Sequence, residues 1–249
     1  MAPKELGDPL VQSPEGVPNP TTNAFSRLMA PKPKRPPPSV TATIARRWGG
    51  SGRDGLGVYL VRPESHPATS VIYHNADFVA VNDIYPKSSA HTLLLPRDPT
   101  RSAQHPFEAL QDPEFLAAVR AEVAKLTSLT AKELQRRFGA TSAAEARRQA
   151  IKVGIHAHPS MSHLHIHVLS REMFSPSLKH RKHYNSFNTP FFVDINDFPL
   201  ADDDPRLDPD RERYLRRDMV CWRCGKNFRN QFKALKDHLQ VEFEEWKHE

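Results

Sequence analysis

The 249-residue sequence predicts an α+β fold: a five-stranded, mostly antiparallel sheet carrying helices, followed by a small ββα-type zinc finger. Three observations predict it. Short β-rich segments occupy residues 70–95 and 152–169, a stretch with helical spacing from Phe107 to Phe138 separates them, and a Cys-x-x-Cys pair stands near the C-terminus.

Residues 1–38 hold ten of the 23 prolines and few large apolar residues, too little apolar surface to offset backbone entropy, so this arm is expected to be disordered. Within it, Asn23-Ala24-Phe25-Ser26-Arg27-Leu28-Met29 is either a short docking helix for a partner protein or a chance apolar cluster. Lys32-Pro33-Lys34-Arg35 reads as a nuclear-import signal or a solubilising basic patch. The main domain is expected over residues 39–208, with an N-terminal helical extension and a C-terminal linker, and the finger over 209–249. After a glycine-rich joint at Gly49 to Gly57, Ser70 to His74 and Phe78 to Asn82 flank Asn75-Ala76-Asp77 as a hairpin, and His91 to Leu95 supplies a third strand. The helical stretch places Leu110, Phe115, Val119, Val123 and Leu126 near one face, with a break around Asp112-Pro113. Helix is expected again from Ala143 to Gln149. Lys152 to Ala157 and Leu164 to Leu169 complete the five strands, and residues 171–208 read as a structured linker without a sustained period.

No apolar run approaches the ~20 residues that a membrane helix requires, and the N-terminus lacks the charged head and apolar core of a secretion signal. The reading is of a soluble chain with no membrane partner. Its formal charge of +6 favours anionic partners. From Arg211 to Lys236 nine Lys or Arg stand against Glu212 and Asp218, in the segment that holds both cysteines, where a nucleic-acid contact would sit.

The chemistry concentrates in His163-Leu164-His165-Ile166-His167-Val168-Leu169. On a strand the side-chain period is two, so the three imidazoles project from one face while Leu164, Ile166 and Val168 bury the other. Such a row can attack phosphorus, relay protons or ligate a metal, or it can be a solvated polar ladder. Upstream, Gly154-Ile155-His156-Ala157-His158-Pro159-Ser160-Met161-Ser162 reads as a strand and turn that deliver one more imidazole.

The run resembles the signature of the histidine triad (HIT) nucleotide hydrolases and transferases. The longer string from His156 to His167, with His183-Tyr184-Asn185-Ser186-Phe187-Asn188-Thr189, is similar to the DNA-deadenylating aprataxin branch of that family, and with the finger the resemblance spans about residues 55 to 245. It implies that His165 is the nucleophile that forms a covalent adenylyl-imidazole, that His163 and His167 orient it or donate to phosphate, and that His156 protonates the departing group. The lesser alternative for His156 is a strand-end histidine bonded to backbone, and His158 is expected to be structural. Ser160 is either a hydroxyl near the phosphate or a turn serine after Pro159. The segment from Asn82 to His91 resembles the family's nucleoside frame, with Asp83 accepting both ribose hydroxyls and Lys87 and His91 on the phosphate side. Lys182, His183, Tyr184, Asn185 and Ser186 mix cations, amides and aromatics suited to gripping a strand end; taken alone they would read as an amphipathic surface loop. No metal is expected to be needed in this site.

Cys221-Trp222-Arg223-Cys224 is followed after thirteen residues by His238, with Phe228 and Leu235 between as core positions, the framework of a ββα zinc finger holding one structural Zn2+. No histidine stands one turn further on. Glu242 does, at i+4 on the same helix face, and because the Cys-Cys-His-Glu set resembles that of fungal members of the aprataxin branch, its carboxylate is taken as the fourth ligand in preference to His248. A redox Cys-x-x-Cys pair would need a βαβ context that is absent. Phosphate contacts are expected from Arg216, Arg217, Arg223, Lys226 and Arg229.

The sequence therefore predicts a nuclear, monomeric DNA-repair hydrolase that removes AMP from 5′-adenylated DNA, with DNA ends or nicks as substrate, AMP as product and the arm as a site for a repair partner. Two rivals stand beside it: a HIT hydrolase of free dinucleotides or nucleoside phosphoramidates, and a non-enzymatic finger protein that binds DNA.

Overall fold

The computed structural model describes residues 52–139, 150–208 and 211–248. The N-terminal arm with its apolar island and basic patch, and the helix expected at Ala143 to Gln149, lie outside these residues. Helix α1 (Gly57–Val61) leads to β1 (Val71–His74) and β2 (Phe78–Asn82), joined where Asn75 Oδ1 accepts the backbone N–H groups of Asp77 and Phe78. Strand β3 (His91–Pro96) is followed by two short helices, α2 (Pro99–Ala103) and α3 (Pro106–Ala109), then by the long α4 (Pro113–Phe138). Its start is set by Asp112, whose Oδ1 accepts from Glu114 and Phe115 at 2.9 and 3.1 Å, with Pro113 in the first turn. Leu116, Val119, Val123, Leu126, Thr130 and Leu134 form its buried stripe, and Gly139 at φ 85° ends it.

The second half supplies β4 (Ile151–His156), β5 (Ile166–Ser170), α5 (Arg181–Asn188), β6 (Phe192–Asp194), α6 (Arg211–Leu215) and the finger helix α7 (Phe232–Trp246). The sheet has six strands, in the order β1-β2-β3-β5-β4-β6, and every neighbouring pair is antiparallel. The expectation of five strands missed β6, which spans three residues and is too short to show a period; it pairs with β4 through Gly154↔Asp194, Ile155↔Val193 and His156↔Phe192. Residues 171–208, expected as a structured linker without a sustained period, hold α5 and β6. In the finger, the expected ββ hairpin is reduced to a single Val220↔Asn227 bridge among the described residues. Its turn is closed by Cys221 N–H to Lys226 O and Gly225 N–H to Cys221 O, with Gly225 at φ 74°.

Helix α4 covers one face of the sheet through Leu94, Ile151, Ile155, Ile166 and Val168. The opposite face is covered in two parts. Around α1, Leu56 with Tyr59, Leu60 and Met161 packs on Val71, Val79, Val81, Leu93 and Leu95. At the other side, Tyr184 and Phe187 of α5 and Phe192 of β6 form one core with Leu169 and with the finger residues Met219, Phe228, Leu235 and Leu239. Between the two covers a strip of sheet stays open. The finger helix is also clamped to the end of α4, where Phe138 meets Phe243 and Trp246 at ring-centroid distances of 5.6 and 6.0 Å.

Gly154 lets β6 lie close to β4: a Cβ there would stand 2.1 Å from the Val193 carbonyl oxygen and 2.8 Å from the Phe192 ring. Gly154→Ala is expected to cost about 1–3 kcal/mol or more, as overpacking against backbone does, read as a lower urea midpoint. An unchanged midpoint would show that this close approach is not required.

Candidate active site and metal centre

The open strip is the floor of a cavity of about 570 Å³. His91, His156, His165 and His167 line it; Asp83, Ile84, Tyr85 and Lys87 come from the β2–β3 connection, Leu56 and Tyr59 from the N-terminal side, and Lys182, His183, Ser186 and Phe187 from α5. The histidines converge because β5 lies between β3 and β4, with His167 opposite both Leu93 and Gly154. The His167 ring centroid lies 4.8 Å from that of His165, 4.5 Å from His156 and 5.2 Å from His91.

Hydrogen bonds assign the protons. His165 Nδ1–H donates to the His163 carbonyl at 2.8 Å, which leaves the Nε2 lone pair free. The backbone N–H of Lys87 donates to His91 Nδ1 at 3.1 Å, so the His91 proton sits on Nε2 and is donated to His167 Nδ1 at 2.9 Å. His167 then carries its own proton on Nε2, a buried atom with no protein acceptor. One backbone amide thereby fixes two tautomers, and a lone pair and an N–H donor stand side by side. His91 Nε2 also lies 3.5 Å from Asp83 Oδ2, while Asp83 Oδ1 accepts from Tyr85 N–H at 2.7 Å.

Burial holds every one of these imidazoles neutral. Desolvation lowers His91 from 6.5 to about 4, pushes His156 and His167 well below the usual range, and lowers His165, where the bond to His163 opposes it in part. Lys87 is lowered by desolvation, offset in part by Asp83. Asp83, His91 and His167 bring ligand-type atoms within 4.8 Å of one another, but the His91 and His167 nitrogens in this group are already joined by their hydrogen bond.

Other expected residues are placed differently. His163 does not line the cavity. Strand β5 begins only at Ile166, and the His163 ring packs over Gly57, where a Cβ would meet it at 2.9 Å. Ser160 lines the mouth, its carbonyl accepting from Arg53 Nε. His158 bonds the Asp208 carbonyl. Tyr184 and Asn185, expected on the DNA-gripping surface, are fully buried and brace the finger instead. Tyr184 Oη donates to Val220 O at 2.8 Å and accepts Trp222 N–H at 3.0 Å, and Asn185 Nδ2 donates to the carbonyls of Leu215 and Arg217. Arg223, expected on phosphate, pairs with Glu242 and Glu245, both at 2.8 Å. Lys182, Arg216, Arg217, Lys226 and Arg229 are exposed. Phe187, read in the sequence only as part of the DNA-gripping string, turns its ring to His91, His156 and His167. The sequence reading overlooked Glu172, a buried carboxyl raised by burial that accepts Ser89 N–H and ties down the loop carrying Lys87. Phe187 stands twenty positions beyond His167, and Glu172, though only five beyond it, lies past the end of the alternating run.

At the finger, ligand atoms of Cys221, Cys224, His238 and Glu242 lie within 4.8 Å of one another, with Cys224 Sγ 3.2 Å and Glu242 Oε1 3.0 Å from His238 Nε2. Two thiols, an imidazole and a carboxylate converging at one point fit a tetrahedral zinc ion, and Arg223 holds the outer oxygen of Glu242. Because Tyr184 ties α5 to the knuckle, Cys221→Ala or chelation is expected to release about one metal equivalent and to strip amide-exchange protection from both the finger and α5. Protection retained in α5 would separate the two.

The neutral histidines set a pH window for stability. A folded value of about 4 for His91 against 6.5 unfolded means that stability is complete above about 6.5 and is lost as pH falls toward 4, with His156 and His167 acting in the same direction. Urea midpoints measured from pH 8 down to pH 4 are expected to fall across that window and to fall less in His91→Gln; a flat profile would refute the assignment.

Comparison with known proteins agrees with this geometry. The HIT domain family matches residues 64–174, and the C2HE / C2H2 / C2HC zinc-binding finger family matches residues 188–245. The aprataxin-like protein of Schizosaccharomyces pombe is 39% identical over 91% of this chain and 95% of its own length, and that of Saccharomyces cerevisiae is 34% identical over 78% and 96%. Among solved structures, the aprataxin ortholog Hnt3 in complex with DNA superposes with a TM-score of 0.70 at 38% identity, covering 79% of this chain and 96% of that one, and Hnt3 with DNA and guanosine gives 0.69. With a histidine cluster on the sheet face and a Cys-Cys-His-Glu finger packed beside it, the chain belongs to the aprataxin-like family of HIT-domain proteins.

Proposed function

We propose that this protein is a DNA-processing hydrolase that removes AMP from 5′-adenylated DNA ends through a covalent histidine-AMP intermediate. The observation that carries the proposal is the pairing of a free lone pair on His165 Nε2 with the buried N–H donor of His167, beside His156, on the floor of a cavity whose wall carries Asp83. In the first step His165 Nε2 attacks the adenylate phosphorus, a P–N bond forms, and the bond to the oxygen of the DNA 5′-phosphate breaks. His167 Nε2–H donates to a nonbridging oxygen as negative charge develops. In the second step water attacks the phosphoramidate, frees His165 and releases AMP. Asp83 accepts ribose hydroxyls, and Lys87 and Lys182 meet phosphate.

His156 serves as the acid for the departing phosphate. It is neutral in the free protein, so the role requires that bound phosphate raise its affinity for a proton, which an anion held in a poorly solvated site does. The DNA-bound state of the related Hnt3 structures supports a DNA substrate for this chain, and the exposed cations Arg216, Arg217, Lys226 and Arg229 supply sequence-blind contacts to phosphate. A substrate of this kind assigns the enzyme to the nucleus. Zinc in the finger is structural, and the histidine chemistry needs no metal.

Acid quench during turnover of adenylate-labelled DNA is expected to trap label on His165, and His165→Ala is expected to lose about a thousandfold or more in activity. Direct attack by water in heavy-oxygen solvent, with no labelled protein, would overturn the scheme. His156→Asn is expected to slow DNA deadenylation about a hundredfold or more while sparing an activated aryl phosphate ester of AMP, whose leaving group needs no proton. Equal losses on the two substrates would assign His156 to positioning.

A further inference from the structure

Beyond Phe187 and Phe192 the chain carries a second cavity, of about 970 Å³, between the end of α5, residues 204–206 and 213–217, and the finger knuckle. Lys152 of β4 lines it. Lys152, Gly154 and His156 alternate onto one sheet face, so Lys152 lies four residues, about 13 Å, along the strand from His156. Its ammonium donates to the Phe187 carbonyl and lies 5.1 Å from the Phe192 ring centroid. Arg206 in the same wall is neutralised by Asp197 and Asp204, whereas Lys152 and Arg171 have no ion-pair partner among the described residues. Burial and the neighbouring Arg171 bring the Lys152 amine down to about 8, and Asp194 offsets this only in part. Arg217 adds a third cation, lying 4.9 Å from the Tyr214 ring centroid. Trp222 also lines the cavity, and its indole N–H is buried without an acceptor.

We propose that this cavity is a second anion site that takes a phosphate group, held by Lys152, Arg171 and Arg217, with Trp222 in its wall as a reporter of occupancy. Two repelling cations brought together are stabilised by one dianion or diester between them, because each charge-assisted hydrogen bond replaces a repulsion with an attraction. The favoured source is a backbone phosphate of the strand whose end occupies the histidine cavity, since both sites lie on one sheet face. That source rests on the proposed function; phosphate binding itself does not.

The test uses the full zinc-loaded chain. Acylation of Lys152 by an amine-selective reagent is followed by mass spectrometry against inorganic phosphate, AMP, or 5′-phosphorylated single-stranded oligonucleotides of increasing length, with Trp222 emission recorded in parallel. Lys152 is expected to be protected, with the half-protecting concentration raised about tenfold in Arg171→Gln, and the emission change is expected to vanish in Trp222→Phe. Protection that tightens with oligonucleotide length assigns the phosphate to a strand, and equal protection by inorganic phosphate and AMP assigns it to a free phosphate; both support the site. Absence of protection by every probe, or protection unchanged in Arg171→Gln, overturns it. Activity on adenylated DNA is measured in the same preparations, so that a chain protected by phosphate yet inactive on DNA counts against the proposed function and not against this site.

Discussion

The pairing of β5 between β3 and β4 is the constraint from which the rest follows. It sets His167 opposite Leu93 on one side and Gly154 on the other, and through the pleat it carries His91 and His156 onto the same face. The register is held by what lies beneath: Ile166 and Val168 fill the core under α4. A slip by one residue would exchange the two sets, drive imidazoles into that apolar layer and expose branched side chains in the cavity. Packing energy on one face therefore fixes chemical geometry on the other.

The finger works within this frame as a wall. Its helix turns Leu235, Leu239, Glu242 and Trp246 inward, and its exposed half includes Asp237, Glu244 and Glu245, a poor surface for reading bases. Tyr184 and Asn185 bind the knuckle and the segment before it through four hydrogen bonds, and Phe187, one turn from Tyr184 on α5, presses on the histidine rings. The Cys-Cys-His-Glu finger and the histidine-lined cavity thus share one helix as a partition.

Much of this was legible in the sequence because it obeys local rules. A period of two gathered His165 and His167 and aligned His156 on a neighbouring strand, the Asp112-Pro113 cap broke the helix where expected, and ligand spacing picked out Cys221, Cys224, His238 and Glu242. What stayed hidden depends on partners far apart in the chain. Tyr184 and Asn185 carry polar tips that suggest a surface, yet their acceptors are carbonyls some thirty positions later, which no local pattern reveals. Arg223 reads as a free cation until the fold brings Glu242 and Glu245 to it. The local rule also reached past the strand: His163 belongs to the alternation, but the strand has not begun there, so its ring lies against Gly57 and it is the His163 carbonyl that orients His165.

Four neutral imidazoles around one small cavity have a consequence for how the protein takes up its ligand. On the proposed function, an incoming phosphate meets, beside Lys87 and Lys182, imidazoles that carry no charge of their own at neutral pH, and it favours protonation of whichever ring it approaches. Binding is then coupled to the uptake of protons from solution, and the heat of association depends on the ionisation enthalpy of the buffer. The same burial that keeps the His165 lone pair unprotonated makes the pocket a proton acceptor whose filling is governed by its anion.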